Sequence, residues 1–350
     1  MSLSILRFGM IVLLACTGTG VSARTASAVA GEICLRGVNL AGAEFGEIPG
    51  RYGFDYSYPT DRAIKSLGRL GLTAIRLPVR WERLQPELNK PLDQAELNRL
   101  DSTLGSIRDA GLHTILDLHN FGYYGAARLG SAAVPSRAFS DLWRRLATHL
   151  RRESSVTFGL MNEPYDLPAQ AWLAAANDAI AAIRSAGARQ LILVSGTAYS
   201  GAHSWTEDLP VGNNGLTMLG VRDPGGNFAY EVHQYLDADF SGRAPECDNG
   251  ASALKAVENM SRWLSANRKR AFLGEIGASG RPECVAALSA ILQHINEAGR
   301  SWIGWTVWAA GDRWPSDYPF KLQLEESPSP VLTSLARNAA TATSCGSSSP

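Results

Sequence analysis

Eight short apolar runs recur along this chain, each separated from the next by helical or loop texture. They occupy residues 33–40, 73–77, 114–118, 156–161, 191–194, 228–235, 271–276 and 303–308. The runs are nearly continuous in apolar residues, as strands buried on both faces must be. Parallel strands need long crossovers, usually helices. Helical periodicity fills most of the gaps, at 60–70, 93–110, 136–150, 169–186, 251–267 and 282–298, and again at 331–338 after the last run. Gly71, Gly111, Gly187 and Gly299 stand just before the next run, where a helix stop is expected. Eight strands alternating with helices predict an α/β fold, the closed (β/α)8 or TIM barrel. The fifth unit is the weakest, because residues 194–228 read only as a loop rich in Gly, Asn and Ser. A doubly wound open sheet is the alternative, but no Gly-x-Gly-x-x-Gly turn follows the first run.

At 350 residues the chain is long enough for one such barrel with appendages. Hydrophobic residues make up 45%, which excludes a mostly disordered chain. Lys plus Arg and Asp plus Glu are 33 each, so no field favours a polyanion and no nucleic-acid partner is expected. Residues 1–30 carry Arg7, then an apolar stretch at 8–16, then small residues ending at Ala23 and Ala30. That is the pattern of a secretory signal peptide, and the stretch is too short to span a bilayer. Leu-Leu-Ala-Cys at 13–16 also resembles a lipoprotein box acylated at Cys16. The expected organisation is a leader over 1–30, one catalytic domain over 31–338, and an Ala-, Thr- and Ser-rich tail over 339–350. A secreted, extracellular monomer without a membrane span is expected. Cys34, Cys247, Cys284 and Cys345 remain after the leader, and export favours disulfides among them. In a barrel Cys34 and Cys345 fall at the bottom, and Cys247 and Cys284 at the top. The expected pairs are therefore Cys34–Cys345 and Cys247–Cys284.

Functional residues of such a barrel gather at the C-terminal ends of the strands. Read there, the runs offer Arg76, His119, Asn162 beside Glu163, His233 and Tyr235, Glu275, and Trp308. Strands four and seven face each other across the mouth, so Glu163 and Glu275 would oppose one another. Two facing carboxylates around a sugar-sized gap are the equipment for cleaving a glycosidic bond. Plainer readings exist for each residue alone. Glu163 is a solvated loop residue before a proline, Glu275 is an ion-pair partner of Arg76, and either His is a core residue. A metal held by His119, His233 and a glutamate is disfavoured because this chemistry needs none; no metal and no cofactor are expected. Trp143, Trp172 and Trp263 sit at helical spacing and read as core. Trp81, Trp205 and Trp314 fall in or near top loops and read as candidate glycan platforms.

The motifs in order are Arg-Gly-Val-Asn at 36–39, Ile-Arg-Leu-Pro at 75–78, Leu-Asp-Leu-His-Asn at 116–120, Asn-Glu-Pro at 162–164, His-Gln-Tyr-Leu-Asp at 233–237, Gly-Glu-Ile-Gly at 274–277, and a Trp-rich eighth run. Together they resemble glycoside hydrolase family 5, and most of all its secreted bacterial endo-β-1,4-glucanases. The resemblance implies Glu163 as acid/base, Glu275 as nucleophile and Asn162 as the partner of a sugar 2-hydroxyl. It implies that Arg76, His119, His233 and Tyr235 orient the sugar and the carboxylates, and that Trp308 stacks beneath the sugar. Phe121 stands where the family often has Tyr, which removes one hydroxyl. The expected activity is retaining, endo-acting cleavage of β-1,4-glucosidic bonds in a β-glucan. An endo-β-mannanase or another β-glucanase on the same fold, or a non-catalytic glycan-binding barrel, are the alternatives, since loops rather than fold set the substrate.

Overall fold

The structure is a computed structural model that describes residues 34–324 and 329–341. The leader reading, Cys16, Cys345 and most of the tail lie outside the described residues. Eight parallel strands close into a barrel in chain order: β1 (Leu35–Leu40), β2 (Ala74–Val79), β3 (His113–Leu118), β4 (Val156–Gly159), β5 (Ile192–Ser195), β6 (Phe228–His233), β7 (Ala271–Glu275) and β8 (Trp302–Ala310). β8 returns to pair with β1, Leu35 opposite Gly304, so no edge is left open. The longer helices among the described residues are α1 (Asp61–Arg69), α2 (Gln94–Asp109), α3 (Ser136–Leu150), α4 (Ala169–Ser185), α5 (Gly250–Asn267), α6 (Pro282–Glu297) and α7 (Pro330–Thr341).

The helices begin and end where local chemistry dictates. The side chains of Thr60 and Asp93 accept from the amides of Ala63 and Glu96, satisfying donors that the first turn leaves open. Gly71, Gly111, Gly187 and Gly299 take positive φ, which closes each helix and turns the chain into the following strand. Along α3, Phe139, Leu142, Trp143, Leu146 and Leu150 are buried, a stripe at helical spacing that faces the barrel wall. Leu35, Ile115, Leu193 and Phe272, from β1, β3, β5 and β7, pack together in a separate cluster with Ala74, Ala229 and Ile303 of the strands between them.

The fifth position of the helical ring departs from the pattern. Between β5 and β6 the chain makes only one α-helical turn, Asn214–Thr217, and the short 3-10 turns Ala198–Ser200 and Met218–Gly220. Trp205 covers what a long helix would have covered. It is 1% exposed and packs 5.4 Å from Tyr230 of β6 and 5.6 Å from Trp263 of α5. Tyr230 Oη donates to the carbonyl of Met218, and Trp263 Nε1 to that of Gly215, so the substitute cover is pinned. The expectation that Trp205 is a glycan platform is therefore corrected, because neither face of its ring is open to a ligand. Trp81 is corrected in the same way: it is fully buried against Tyr124 and Phe139. Trp143 and Trp172 are core, as their spacing predicted.

Cys247 and Cys284 are bonded, with Cα atoms 5.4 Å apart, tying the loop after β6 to the first turn of α6. Cys34 is also disulfide-bonded. Among the described residues no helix is long and apolar enough to cross a membrane.

Trp205→Ala should lower unfolding stability by about 3–5 kcal/mol, the usual cost of emptying a buried aromatic site. The midpoint of urea denaturation measures it, and a change below about 1 kcal/mol would return Trp205 to the surface class.

Candidate active site

The site grows from Arg76, which β2 carries into the barrel mouth with no exposed surface. Its Nε donates to Glu231 Oε1 at 2.7 Å. Nη1 donates to Asn39 Oδ1 at 2.8 Å and to Glu275 Oε1 at 2.9 Å. Nη2 donates to Asn162 Oδ1 at 2.7 Å and pairs with Asp117 at 3.1 Å. Burial by itself disfavours the guanidinium charge, but Asp117, Glu231 and Glu275 outweigh it and push the Arg76 pKa up. β1, β3, β6 and β7 and the segment just after β4 thus each place a polar group on the one side chain that β2 supplies. β7 contributes a glycine as well. A Cβ at Gly274 would lie 2.3 Å from Glu231 Oε1, so the close approach of Glu231 requires that residue to lack a side chain.

Glu275 ends β7. Its second oxygen accepts from Tyr235 Oη at 2.7 Å and lies 3.7 Å from His233 Nδ1. Burial acts to raise its pKa, but His233, Arg76 and His119 prevail and hold it below the ordinary range. Glu163 follows β4 with a left-handed φ of 42°. Its Oε1 pairs with His233 Nδ1 at 2.5 Å. Burial pushes the Glu163 pKa up, with help from the Glu275 charge and against the pull of His233. His233 stands between them and is pushed up to about 10; burial opposes its charge, and Glu275 and Glu163 overcome it. The ligand atoms of Glu163, His233 and Glu275 all lie within 4.8 Å of one another.

The floor and walls are aromatic. His119 bonds Asp117 Oδ2 through Nδ1 at 2.7 Å and lies parallel to Trp308, centroids 5.6 Å apart. Its pKa is raised: burial lowers it, and Asp117 more than restores it. Trp308 donates from Nε1 to Tyr318 Oη at 3.0 Å. Trp314 stacks on Tyr318 at 4.0 Å and meets Phe45 edge-on. A cavity of about 490 Å³ opens on the Glu163 side, lined among others by Phe121, His233, Tyr235, Tyr199 and Phe240.

The structure brings Arg76, Asn162, Glu163, His233, Tyr235 and Glu275 into one network, with His119 and Trp308 beside it; only Trp205 falls elsewhere. Sequence reasoning gave no role to Glu231, Asp117, Asn39 or Glu44. Glu231 carried a signal that could have been used, since an acid inside an apolar strand needs a buried partner. Glu44 is quieter: Oε2 accepts from the Gly42 amide at 2.7 Å, while Oε1 is buried without a partner among the described residues. Asn162 Nδ2 is likewise buried and unpartnered.

A closed parallel barrel with two glutamates meeting at the mouth, an arginine behind one of them and aromatic rings around both, defines a two-carboxylate glycosidase. The domain described as cellulase (glycosyl hydrolase family 5) matches residues 32–311, and the chain belongs to that family. It is 34% identical over 321 residues to endo-beta-1,4-glucanase B of Emericella nidulans, covering 91% of this chain and 94% of that protein. A solved endo-beta-1,4-glucanase of Xanthomonas axonopodis pv. citri is 42% identical with a TM-score of 0.86, covering 88% of this chain and 99% of that one. XacCel5A in complex with cellopentaose is matched equally well, at 42% identity and a TM-score of 0.86 over 88% of this chain and 99% of that one. Fungal and bacterial proteins both stand among the relatives.

Arg76→Met should leave Asp117, Glu231 and Glu275 facing one another without their shared cation. Breaking a buried ion pair from one side costs about 3–5 kcal/mol, read as a lower denaturation midpoint. Any residual activity should lose its acid limb at a higher pH than the unaltered protein, because Glu275 loses a group that keeps it ionised. An unmoved acid limb would show that Arg76 does not set the charge of Glu275.

Proposed function

We propose that this protein is a secreted, monomeric endo-β-1,4-glucanase that cleaves internal bonds of β-glucans with retention of configuration. The observation that carries retention is the closeness of the two carboxylates, with oxygens within 4.8 Å. Retaining enzymes hold their carboxyl groups about 5–5.5 Å apart, whereas inverting ones leave about 6.5–9.5 Å for a water. The names of the family relatives and the cellopentaose complex support a glucan substrate. The leader-like residues 1–30 and the Cys247–Cys284 disulfide support export to an oxidising compartment.

Glu275 is the nucleophile. Arg76 and Tyr235 hold its two oxygens and keep it charged, so it can attack the anomeric carbon as the bond to the leaving oxygen breaks. Glu163 is the acid/base. Its raised pKa keeps a proton available for the leaving oxygen. Once Glu275 is esterified its negative charge is gone, one cause of that raised pKa disappears, and Glu163 can take a proton from the incoming water. Asn162 is turned by Arg76 so that its amide nitrogen is left over for a sugar hydroxyl. His119 orients the same sugar, and Trp308 stacks beneath it.

Activity should follow a bell in pH. It should fall on the acid side as Glu275 takes a proton and on the basic side as Glu163 loses one, with the optimum between them. In Glu163→Gln, an aryl glycoside whose leaving group needs no protonation should show no basic limb assigned to Glu163. A basic limb at the same pH in that variant would move the assignment to another residue.

The two glutamates should also fail differently. Glu275→Gln should abolish turnover on every glycoside. Glu163→Gln should still form the glycosyl-enzyme from an activated aryl glycoside, and azide should restore turnover to give a β-glycosyl azide. Azide rescue of Glu275→Gln instead would reverse the roles. Reducing-sugar release from carboxymethylcellulose, mannan, xylan and mixed-linkage glucan, run side by side, tests the substrate: faster release from mannan than from either glucan would overturn the glucanase reading.

A further inference from the structure

We propose that the bottom face of the barrel carries a second carbohydrate site, which docks an acidic polysaccharide through the carboxylate and hydroxyls of a hexuronate residue. The inference goes beyond the catalytic reading and does not rest on it.

A cavity of about 240 Å³ opens where β4, β5 and β6 begin. That face lies opposite the mouth, so nothing bound there reaches Glu163 or Glu275. Arg151, Arg152 and Arg189 line the cavity, and no Asp or Glu does. All three arginines are exposed. Arg151 donates from Nη1 to the Thr148 carbonyl at 2.8 Å. The guanidiniums of Arg152 and Arg189 have no hydrogen-bond or ion-pair partner among the described residues.

The acids close by are already engaged. Glu153 accepts from Arg108 at 3.1 Å. Asp223 accepts from Nε and Nη2 of Arg184 at 2.8 and 2.9 Å. His113, also in the lining, adds no charge at neutral pH, because burial pushes it down to about 4. The chain as a whole has as many acidic as basic side chains, 33 of each, so the cluster is not the surplus of a basic protein. Like charges gathered around one cavity repel until an anion joins them, and a guanidinium fork matches a carboxylate.

The other lining groups narrow the anion. Gln190 is 9% exposed. Its Nε2 donates to the carbonyls of Leu150 at 2.7 Å and Glu153 at 3.2 Å, which fixes the amide, and its Oε1 has no partner among the described residues. Asn227 Nδ2 donates to the Arg189 carbonyl at 3.1 Å, which leaves Oδ1 as an acceptor. A phosphodiester has nothing to donate to such oxygens; a sugar hydroxyl does. Val156 and Leu191 are buried and supply apolar surface for the C–H face of a ring. A hexuronate unites a carboxylate, hydroxyls and an apolar face. The cavity is smaller than the roughly 300–1,000 Å³ of drug-sized ligand pockets, so it takes one sugar unit. One carboxylate neutralises one charge, and three guanidiniums therefore fit successive carboxylates of a chain better than a free monosaccharide. Anionic membranes are drawn by clusters of about 4–8 basic residues, more than this face offers.

The rim is built in advance. Arg184 Nη1 donates to the carbonyls of Ala188 at 3.0 Å and Gln190 at 2.9 Å, and Nη2 to that of Asn227 at 3.1 Å. The segments before β5 and β6 are thus held together before a ligand arrives, which leaves less entropy to lose on binding. A chain docked here leaves the mouth free. In a matrix of acidic and neutral polysaccharides, holding one polymer raises the local concentration of the mouth at the other.

The test is affinity electrophoresis of the full chain in native gels containing polygalacturonate, with excess cellobiose present to occupy the mouth. Retardation relative to a polymer-free gel should rise with polymer and saturate. In the double variant Arg152→Gln, Arg189→Gln the apparent dissociation constant should rise at least about tenfold, which is about 1.4 kcal/mol. Ser154→Asp, which sets a carboxylate in the lining, should do the same. An unchanged denaturation midpoint reports that each variant is folded, and one folded variant suffices for the test. Retardation that is unchanged in a folded variant, or that cellobiose abolishes, would overturn the site. Equal retardation by polyphosphate of the same charge would overturn its preference for a sugar acid, and competition by free galacturonate as strong per carboxylate as by the polymer would overturn docking of a chain. Failure of the protein to cleave any β-glucan would overturn the hydrolase reading and leave these outcomes unaltered.

Discussion

The Arg76 guanidinium holds the mouth of the barrel together. It has no exposed surface, donates four hydrogen bonds and pairs with a third carboxylate at 3.1 Å. A buried cation is expensive unless its partners surround it, and here the partners come from five other strands or their ends. That requirement fixes their relative heights: a slip of one residue in any strand would turn its partner to the other face. Asn39 passes the constraint on, since its Nδ2 donates to the Gly274 carbonyl at 2.9 Å and so ties β1 to the strand that ends in Glu275.

Charge balance then explains why two glutamates so close together differ. Asp117, Glu231 and Glu275 bring three negative charges into the mouth. Arg76 and His233, with His119 drawn toward its cationic form by Asp117, bring the matching positive ones. With those charges balanced, burial and then the Glu275 charge push the Glu163 pKa up against the pull of His233. Neutralising Glu275 leaves positive charge in excess, which favours the Glu163 carboxylate. On the mechanism proposed above, the cluster couples the protonation of Glu163 to the covalent state of Glu275 through charge.

Around this rigid centre the loops divide the work. Trp308, Trp314, Tyr318 and Phe45 pack into one aromatic body beside Glu275 and His119. Tyr199, Phe240 and their stacked neighbours flank Glu163. The fifth unit of the barrel pays for its shape: with no long helix after β5, Trp205 seals the wall, and the chain before it is free to form the left-handed turn at Ala198–Ser200 that presents Tyr199.

The eight strands, the limits of the first six long helices to within a residue or so, and the positions of Glu163 and Glu275 were legible in the sequence; the last helix runs three residues past its expected end. Each depends on short-range facts: apolar runs of strand length, helical spacing, glycine stops, and ionisable residues at the ends of buried segments. The partners of those residues were not legible. Arg76 meets Glu231 across 155 positions and Glu275 across 199, and only closure of the barrel decides which distant acids share one guanidinium. The same holds for Trp205, whose place in a loop suggested a surface ring, and for the Tyr123, Tyr165 and Tyr199 stack, which joins three loops. Sequence determined which groups lie at strand ends, because periodicity is local; tertiary structure decided which are charged, covered or open, because burial and electrostatics depend on neighbours that the chain brings from far away.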